Sequence, residues 1–380
     1  MRVGVDSSVC AFNRAGNARY AQYLLHALCE VARDEHVEPV ALTLPAALHA
    51  TRAGLRRKAL VAFWEFVYAP RLLGLLARLA RVDLLHLTMP MPLGPGAPPT
   101  VVTVLDLTPV LFPQWFTPIM ALRTRRWLRL ALRRAAAVIT ISQHTADDLL
   151  RVVPDLTVPV RPVLLGSFLE QACGPAPLPA GVASPGYLLS VGTLEPRKNL
   201  ALVLEGYAQL TRALPAAPPL VVVGGAGWKT QDLGAIAAEL GVADRIVRLG
   251  YVSDAQLYSL YSHAAVLLYP SRYEGFGFPL LEAMGCGCPV ITSSSSSLPE
   301  VVGAAGILID PERPRQLARA LELLLTQPAL AAQMRRAGLA RASQFSWERC
   351  ARETIAVYRE LIGAEQSARG GAGSFLLRKP

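Results

Sequence analysis

Charge is sparse in this chain: 17% of its 380 residues are Asp, Glu, Lys or Arg, against 52% hydrophobic. So little charge and so much apolar content argue against extended disorder. At 380 residues the chain exceeds what a single hydrophobic core usually supports, so two domains are expected. Long apolar runs are also missing. No stretch approaches the roughly 20 residues that a membrane-spanning helix needs. The start, MRVGVDSSVCAFNRAG, lacks the basic-then-apolar order of a secretory signal. Cysteines are scattered at positions 10, 29, 173, 286, 288 and 350. Cys286-x-Cys288 has neither zinc spacing nor a second pair, so the thiols read as buried and free in a reducing, cytoplasmic compartment.

What charge there is leans basic. The chain holds 38 Lys+Arg against 28 Asp+Glu, a net +10, and residues 1–180 carry 19 against 12. Such an excess suits anionic partners, whether phosphorylated substrates, an acidic membrane surface or nucleic acid. The arginines gather at Arg52–Lys58 and Arg123–Arg134, and neither cluster has an RNA-binding or helix-turn-helix signature, so no nucleic acid is expected. The apolar, aromatic stretch Leu55–Leu79 predicts one helix ending near Ala69 and another after Pro70. That pair is either core packing or a cationic amphipathic surface touching acidic lipid, which would make the protein peripheral on the inner face of the cell membrane.

Short β-rich runs alternate with helical stretches almost throughout, the pattern of parallel sheets covered by helices. In the first half strands are expected at Arg2–Asp6, Pro39–Leu44, Leu84–Leu87, Thr100–Leu105, Ala136–Ile141 and Val158–Leu164. In the second half they are expected at Tyr187–Val191, Leu220–Val223, Arg245–Leu249, Ala265–Tyr269, Cys288–Thr292 and Gly306–Ile309. Between the halves, Cys173–Pro185 is rich in Pro, Gly and Ala and breaks the alternation. The expected fold is therefore α/β, with two tandem Rossmann-like doubly wound domains. The first covers residues 1–172, a linker 173–185, the second domain 186–345, a final helix 346–362 and a loose tail 363–380.

Chemistry concentrates in the second half. The strand ending at Val191 leads into Gly192-Thr-Leu-Glu-Pro-Arg197-Lys198-Asn199, which opens a helix. Two adjacent cations aimed at a helix N-terminus form an anion site, Arg197 gripping a phosphate with paired hydrogen bonds and Lys198 adding a point charge. The Gly224-Gly225-Ala-Gly227 loop also follows a strand but lacks the G-x-G-x-x-G spacing of a dinucleotide fingerprint. After the strand ending at Tyr269, a loop carries Glu274 before Gly275-Phe276-Gly277-Phe278, and Pro279 starts a helix that carries Glu282. Two carboxylates eight residues apart suit either a glycosidase acid and nucleophile or a pair that holds sugar hydroxyls. The glycines let backbone N–H groups approach a ligand. The run Ser293–Ser297 reads as an N-cap loop.

The RKN turn, the EGFGFPLLEAMGCGCPVITS run with its E-x7-E pair, and SSLPEVVGAAGILIDP resemble the donor-binding domain of retaining nucleotide-sugar glycosyltransferases. These have the GT-B fold, and the family includes bacterial mannosyl- and rhamnosyltransferases. FSWERCARETIAVYREL is similar to the family's closing helix, which crosses back to the first domain. The resemblance implies a metal-independent hexosyltransferase of polysaccharide or glycoconjugate synthesis, with an interdomain cleft and no cofactor beyond its co-substrate. Its partners would be a nucleotide diphosphate sugar, by preference GDP-mannose, and a glycan or lipid-linked saccharide acceptor held by the first domain. By the same resemblance Arg197 and Lys198 clamp the donor diphosphate, Glu274 contacts the donor sugar, and Glu282 holds the ribose. The Gly275, Phe276, Gly277 and Phe278 backbone lines sugar and phosphates, Tyr251 and Val252 border the base, and Gly16 and Asp106 approach the donor from the first domain.

One stretch departs from the family. Where members commonly show His-Asp, this chain has Leu105-Asp106, and His144 in ISQHT is the neighbour offered for the missing imidazole. The departure supports one alternative, a sugar-nucleotide or glycan-binding homologue without turnover; a separate alternative is a sugar-nucleotide epimerase or a phosphorylase of the same fold.

Overall fold

Parallel sheets covered on both faces need strands that are buried on both sides. The runs LLHL (Leu84–Leu87), TVVTV (Thr100–Val104) and AVIT (Ala137–Thr140) meet that need, and all their residues are buried. The computed structural model describes residues 1–13, 16–49, 54–169, 176–225, 227 and 232–373, with side chains to 364. The chain divides into two compact units. Unit 1 comprises Met1–Val110, Ile119–Gly166 and Ser346–Pro380, and unit 2 comprises Leu111–Pro118 and Ser167–Phe345.

Unit 1 is built on six parallel strands: β1 (Arg2–Asp6), β2 (Glu38–Leu42), β3 (Leu84–Leu87), β4 (Thr100–Val104), β5 (Ala137–Thr140) and β6 (Val160–Pro162). Their order is β2-β1-β3-β4-β5-β6. Helix α1 (Gly16–Val31) follows β1, α2 (Leu55–Leu79) follows β2, and α3 (Pro118–Leu132) follows β4. The closing helix, Trp347–Gly373, lays Trp347 against Tyr23 of α1, with ring centroids 5.4 Å apart. Further along it, the Tyr358 hydroxyl lies 2.6 Å from His86 Nδ1, while His86 Nε2 lies 2.7 Å from Thr103 Oγ1. Burial drives the His86 pKa down to about 3, so this imidazole is neutral and structural.

Unit 2 has the strands β7 (Leu188–Val191), β8 (Leu220–Val223), β9 (Ile246–Arg248), β10 (Val266–Tyr269), β11 (Val290–Ser293) and β12 (Gly306–Ile309). They are ordered β12-β11-β10-β7-β8-β9. Counted from β7, that is the doubly wound order of a dinucleotide fold, and its direction reverses between β7 and β10. Helix α4 (Leu200–Ala213) leaves the loop after β7, and α5 (Phe278–Gly285) leaves the loop after β10. The core packs Val203, Leu204 and Tyr207 of α4 against Leu317 and Leu321. Each fully buried leucine there is worth about 1.5–3 kcal/mol.

The structure corrects several expectations. Pro70 does not end a helix: Leu55–Leu79 is continuous, with a π-helical segment, Trp64–Leu72, carrying the proline. A mid-helix proline normally orphans the carbonyl four residues earlier. Here the π-helical i→i+5 pattern does not require a bond from Pro70 to Phe66, and the Phe66 carbonyl also accepts from Arg71 Nη1 at 2.7 Å. The result is one helix that is long and apolar enough to cross a membrane by length and composition, where the sequence had suggested none, and 33% of its most apolar window is buried in the protein.

The units also divide differently from the expected domains. The boundary falls at Gly166, ahead of 173–185, because Phe168 stacks on Phe278 at 4.0 Å and draws the chain into unit 2. Of that expected linker, residues 173–175 lie outside the described residues, and Ala176 is tied to unit 2 by Ser259 Oγ at 2.7 Å. The closing helix runs on to Gly373, past the expected start of a loose tail. Residues 374–380 lie outside the described residues, as does Arg52 of the first basic cluster.

Candidate functional site

In open α/β sheets ligands sit beyond the carboxyl ends of the strands, where the strand order reverses. In unit 2 that point lies between β7 and β10. The loops leaving these two strands carry Arg197-Lys198 and Glu274. Asn199 holds the first loop in place. It adopts φ 58° and donates its Nδ2 to the carbonyls of Pro270, at 3.2 Å, and Pro311, at 2.7 Å. Arg272 N donates to the Arg197 carbonyl at 2.8 Å, joining the two loops directly.

The side chains then close into one cluster. Glu274 Oε1 accepts from Lys198 Nζ at 2.6 Å and from the Tyr269 hydroxyl at 2.9 Å, and Oε2 accepts from Arg197 Nη1. Arg197 Nε reaches Glu195 Oε1 at 2.6 Å. All four charged side chains are largely buried, Glu274 with 9% and Glu195 with 2% of the side chain exposed. Burial alone raises a carboxyl pKa, yet Arg197, Lys198 and the Lys198 hydrogen bond outweigh it and hold Glu274 at about 2. Burial and the neighbouring Arg197 push Lys198 down from the ordinary lysine value. Burial pushes Glu195 up, against the pull of Arg197 and Lys198.

A carboxyl held at about 2 stays ionised near neutral pH and has no proton to give, so Glu274 does not fit the acid of a glycosidase pair. Glu282 sits apart from the cluster. It is buried on α5, accepts from the Tyr261 hydroxyl at 3.1 Å, and lines a cavity of about 170 Å³ with Tyr258, Cys286 and Phe345. The E-x7-E spacing therefore places its two carboxylates in separate surroundings.

The loop between them presents backbone. Phe276 is buried against Phe345 and Phe278. Gly277 has φ 108°, and a Cβ there would lie 2.8 Å from Leu298 Cδ2. Serine hydroxyls pin the rest. Ser297 Oγ donates to the carbonyls of both Glu274 and Phe276 at 2.9 Å, and Ser296 Oγ accepts from Glu274 N at 3.0 Å. Ser297 does occupy the N-cap position of the next helix, but its hydroxyl serves the loop and not the helix. The serine run is a clamp on the Glu274 loop, a correction to the N-cap reading.

Of the remaining sequence candidates, Tyr251 is 91% exposed just after β9, beside Val252. Gly16 opens α1, and a Cβ on it would meet nothing within 4 Å among the described residues. Asp106 follows β4, and its Oδ1 accepts from the Thr108 amide and hydroxyl, closing a helical turn. His144 lies in the first turn of helix Gln143–Val152, its Nε2 3.2 Å from Asp148 Oδ2, beside the Ser142 cap on Thr145 N. Gly16, Asp106 and His144 belong to unit 1, and the other candidates belong to unit 2. Among the described residues, no group of three His, Cys, Asp or Glu side chains is placed to hold a metal ion.

Sequence reasoning missed Glu195, Tyr269 and the serine clamp, and named Asn199 only as part of the RKN turn. Glu195 left a signal: two buried cations against one carboxylate call for a second anion, and it stands two residues before Arg197.

The family model described as glycosyl transferases group 1 matches residues 182–341, and that described as glycosyltransferase family 4 matches residues 3–160. The O-antigen chain mannosyltransferase B of Escherichia coli is 34% identical over 268 residues, covering 69% of this chain and 70% of that protein. The sucrose-phosphate synthase of Thermosynechococcus elongatus superposes with a TM-score of 0.73 at 22% identity, over 96% of this chain and 100% of that one. The Anabaena protein HepE, solved with UDP-glucose, superposes at 0.65 with 20% identity, over 95% and 99%.

Proposed function

Because the chain belongs to the group 1, family 4 glycosyltransferases and has the GT-B fold, we propose that it moves mannose from a nucleotide diphosphate sugar to a glycan or lipid-linked saccharide. The observation that carries this reading is the Arg197–Lys198–Glu274 cluster at the switch point of the second sheet. Two cations held between the carboxylates of Glu195 and Glu274 suit a donor that is anionic at its diphosphate and rich in hydroxyls at its sugar. Arg197 and Lys198 hold the diphosphate and stabilise the charge that grows as the nucleotide leaves, so the reaction proceeds without a metal ion. Glu274 accepts from the donor sugar's hydroxyls and Glu282 from the ribose. The backbone of Gly275–Phe278 lines the sugar and phosphates, Tyr251 and Val252 border the base, and Gly16 and Asp106 keep the donor roles that the family resemblance implies.

In the reaction the bond from the sugar's C1 to the phosphate oxygen breaks while the acceptor oxygen bonds C1 on the same face. The acceptor proton passes to the leaving phosphate oxygen. Configuration is retained, and no protein nucleophile is needed. GDP-mannose is the preferred donor, supported by the likeness to the O-antigen mannosyltransferase, with UDP-glucose the next to test. Leu105, in place of the family's histidine, favours a second reading of binding without turnover.

Nucleotide release from a panel of donors decides between the two. GDP release from GDP-mannose with a mannose-terminated acceptor, unaffected by EDTA and giving the retained anomer by NMR, is the expected result. Release from no donor with any acceptor would leave the binding-only reading.

A place on the inner face of the membrane forms part of the same proposal. Phe66 of α2 and Ile119 and Leu122 of α3 are exposed. The two helices are joined by Arg123 Nη1 to Glu65 Oε1 at 2.6 Å and by the Trp64 and Trp127 rings at 5.5 Å. Apolar side chains beside Arg56, Arg57, Lys58, Arg125 and Arg126 suit an acidic lipid surface. Co-sedimentation with phosphatidylserine vesicles at low salt, lost at high salt, is expected. A protein that stays in the supernatant at low salt rules the association out.

A further inference from the structure

The charges of the cluster balance before any donor arrives. Arg197 and Lys198 carry two positive charges, Glu195 and Glu274 carry two negative ones, and all four side chains are largely buried. The donor of the proposed reaction brings two further negative charges on its diphosphate. A largely buried site does not hold that excess without compensation. In a reaction without a metal ion, a proton on one of the two carboxylates supplies it most directly.

The geometry tells the two carboxylates apart. Glu274 has both oxygens engaged: Oε1 accepts from Lys198 Nζ at 2.6 Å and from the Tyr269 hydroxyl at 2.9 Å, and Oε2 accepts from Arg197 Nη1. These donors stabilise its ionised form. Glu195 has one such contact, from Oε1 to Arg197 Nε at 2.6 Å. Its Oε2 is buried and has no hydrogen-bond partner among the described residues. A dry oxygen with no donor favours the neutral acid. Accordingly burial raises the Glu195 pKa, while Glu274 is held at about 2.

The other described groups around Glu195 are already committed. Lys198 and Tyr269 are turned to Glu274 and to each other. Arg272 lines a cavity of about 170 Å³ together with Glu195, and it pairs with Glu312 at 3.3 Å. Trp115 lines the same cavity from Leu111–Pro118, a strap of chain that precedes α3 in sequence but belongs to unit 2. Phe112 of that strap packs at 5.2 Å on Tyr273, so the strap adds aromatic surface here and no charge.

We propose that Glu195 is the charge-balancing residue of the donor site: ionised while it positions Arg197 in the free protein, it takes up one proton from water when the donor diphosphate engages Arg197 and Lys198. The proposal rests on the glycosyltransferase reading for the ligand's identity. The neutral acid releases its hold on Arg197 and leaves the guanidinium to the phosphates. Because the donor raises the proton affinity of Glu195, binding is tightest on the acid side. Affinity then falls as pH rises from the Glu195 value of the free protein to that of the complex, approaching about tenfold per pH unit for one proton.

Calorimetry of GDP-mannose binding without acceptor, run in two buffers of different ionisation heat, counts the protons taken up. The donor's diphosphate is a diester and contributes none. Wild-type protein is expected to take up as much as about one proton between about pH 5 and 9. Glu195→Gln, a neutral amide of the same shape, should lose that uptake. It should also bind GDP-mannose about three- to tenfold more tightly than wild type at about pH 8, where a merely structural role would give weaker binding. Thermal unfolding reports whether the variant is intact. Infrared difference spectra supply a second readout, a protonated-carboxyl band that appears when donor is added. Should Glu195→Gln not fold, Glu195→Asp keeps the carboxyl and is expected to shift that band. Binding by wild-type protein with no proton uptake overturns the proposal alone, as does uptake undiminished in Glu195→Gln or a band unmoved in Glu195→Asp. A wild-type protein that binds neither GDP-mannose nor UDP-glucose overturns it together with the donor reading.

Discussion

Replacing Glu274 with alanine is expected to lower kcat/KM for the nucleotide sugar by roughly 10²- to 10³-fold, the scale of losing one charged contact at a reacting centre. The loss has two sources. In the proposed reaction Glu274 would no longer meet the donor sugar, and in the cluster Arg197 and Lys198 would lose the carboxylate paired with both of them. Removing one member of a buried ion cluster costs about 3–5 kcal/mol, so the variant should also unfold more easily.

The pH dependence separates these sources. Glu274 titrates at about 2 in the folded protein against 4.5 for an ordinary glutamate. Its stabilisation is therefore fully present above about 4.5 and is lost as pH falls toward 2. Glu274→Gln should lack that acid-side loss. Lys198 is already pushed down by burial and by Arg197, and Glu274 is the largest influence opposing that shift. Without it Lys198 falls further, so the variant's kcat/KM should decline with rising pH earlier than in wild type. A Glu274→Ala enzyme with wild-type kcat/KM and pH profile would remove Glu274 from the site.

Gly224→Ala is expected to be strongly destabilising, since among the described glycines it is here that a Cβ would come nearest another atom. The loops after β7 and β8 meet back to back there. Gly192 N donates to the Val223 carbonyl at 2.9 Å, and Gly224 N donates to the Gly250 carbonyl at 3.0 Å. A Cβ on Gly224 would lie 2.0 Å from the Gly192 carbonyl oxygen, on a residue with φ 143°. The obstacle is backbone, so no rotamer change relieves it. The expected cost exceeds about 4 kcal/mol, a large part of a typical domain's stability of about 5–15 kcal/mol. Gly225 offers the matched control, because a Cβ there meets nothing within 4 Å among the described residues. Gly225→Ala should change stability by no more than about 1 kcal/mol. Urea unfolding of the two variants, read by amide exchange in unit 2, tests the pair. Equal midpoints for both would show that the close approach does not exist in solution.

The Gly224 contact also marks the limit of what the sequence revealed. The Gly-Gly step stood out as a loose fingerprint for a nucleotide, whereas the structure gives Gly224 a packing reason that lies 32 residues away in the chain, at Gly192. Parallel strands with both faces buried were legible because burial on two sides leaves continuous apolar runs. Their ends were less so: the expected Cys288–Thr292 is Val290–Ser293, since the Gly287–Pro289 corner delays pairing. Arg197, Lys198 and Glu274 were found as separate anion and sugar ligands. That they form one cluster depends on β7 and β10 being neighbours, a matter of strand order that local spacing does not encode. Ser297 looked like a helix cap because its place in the sequence is that of a cap, and only the tertiary turn directs its hydroxyl to Glu274 and Phe276. Pro70 misled because the chain passes it in a π-helical turn, whose i→i+5 pattern the α-helical rule for proline does not cover.

Connectivity places a constraint on how the protein can be made. The chain passes from one unit to the other at residues 110, 118, 166 and 345. During synthesis, β1 to β6 leave the ribosome long before Tyr358, whose hydroxyl completes the His86–Thr103 network in the same unit. The first unit to emerge is thus the last to be finished, and unit 2, Trp115 strap included, can mature while its predecessor still lacks a helix. Shortening the chain near its C-terminus should therefore injure the oldest part of the molecule, and residues 167–345 expressed alone would lack the aromatic strap that packs on Tyr273.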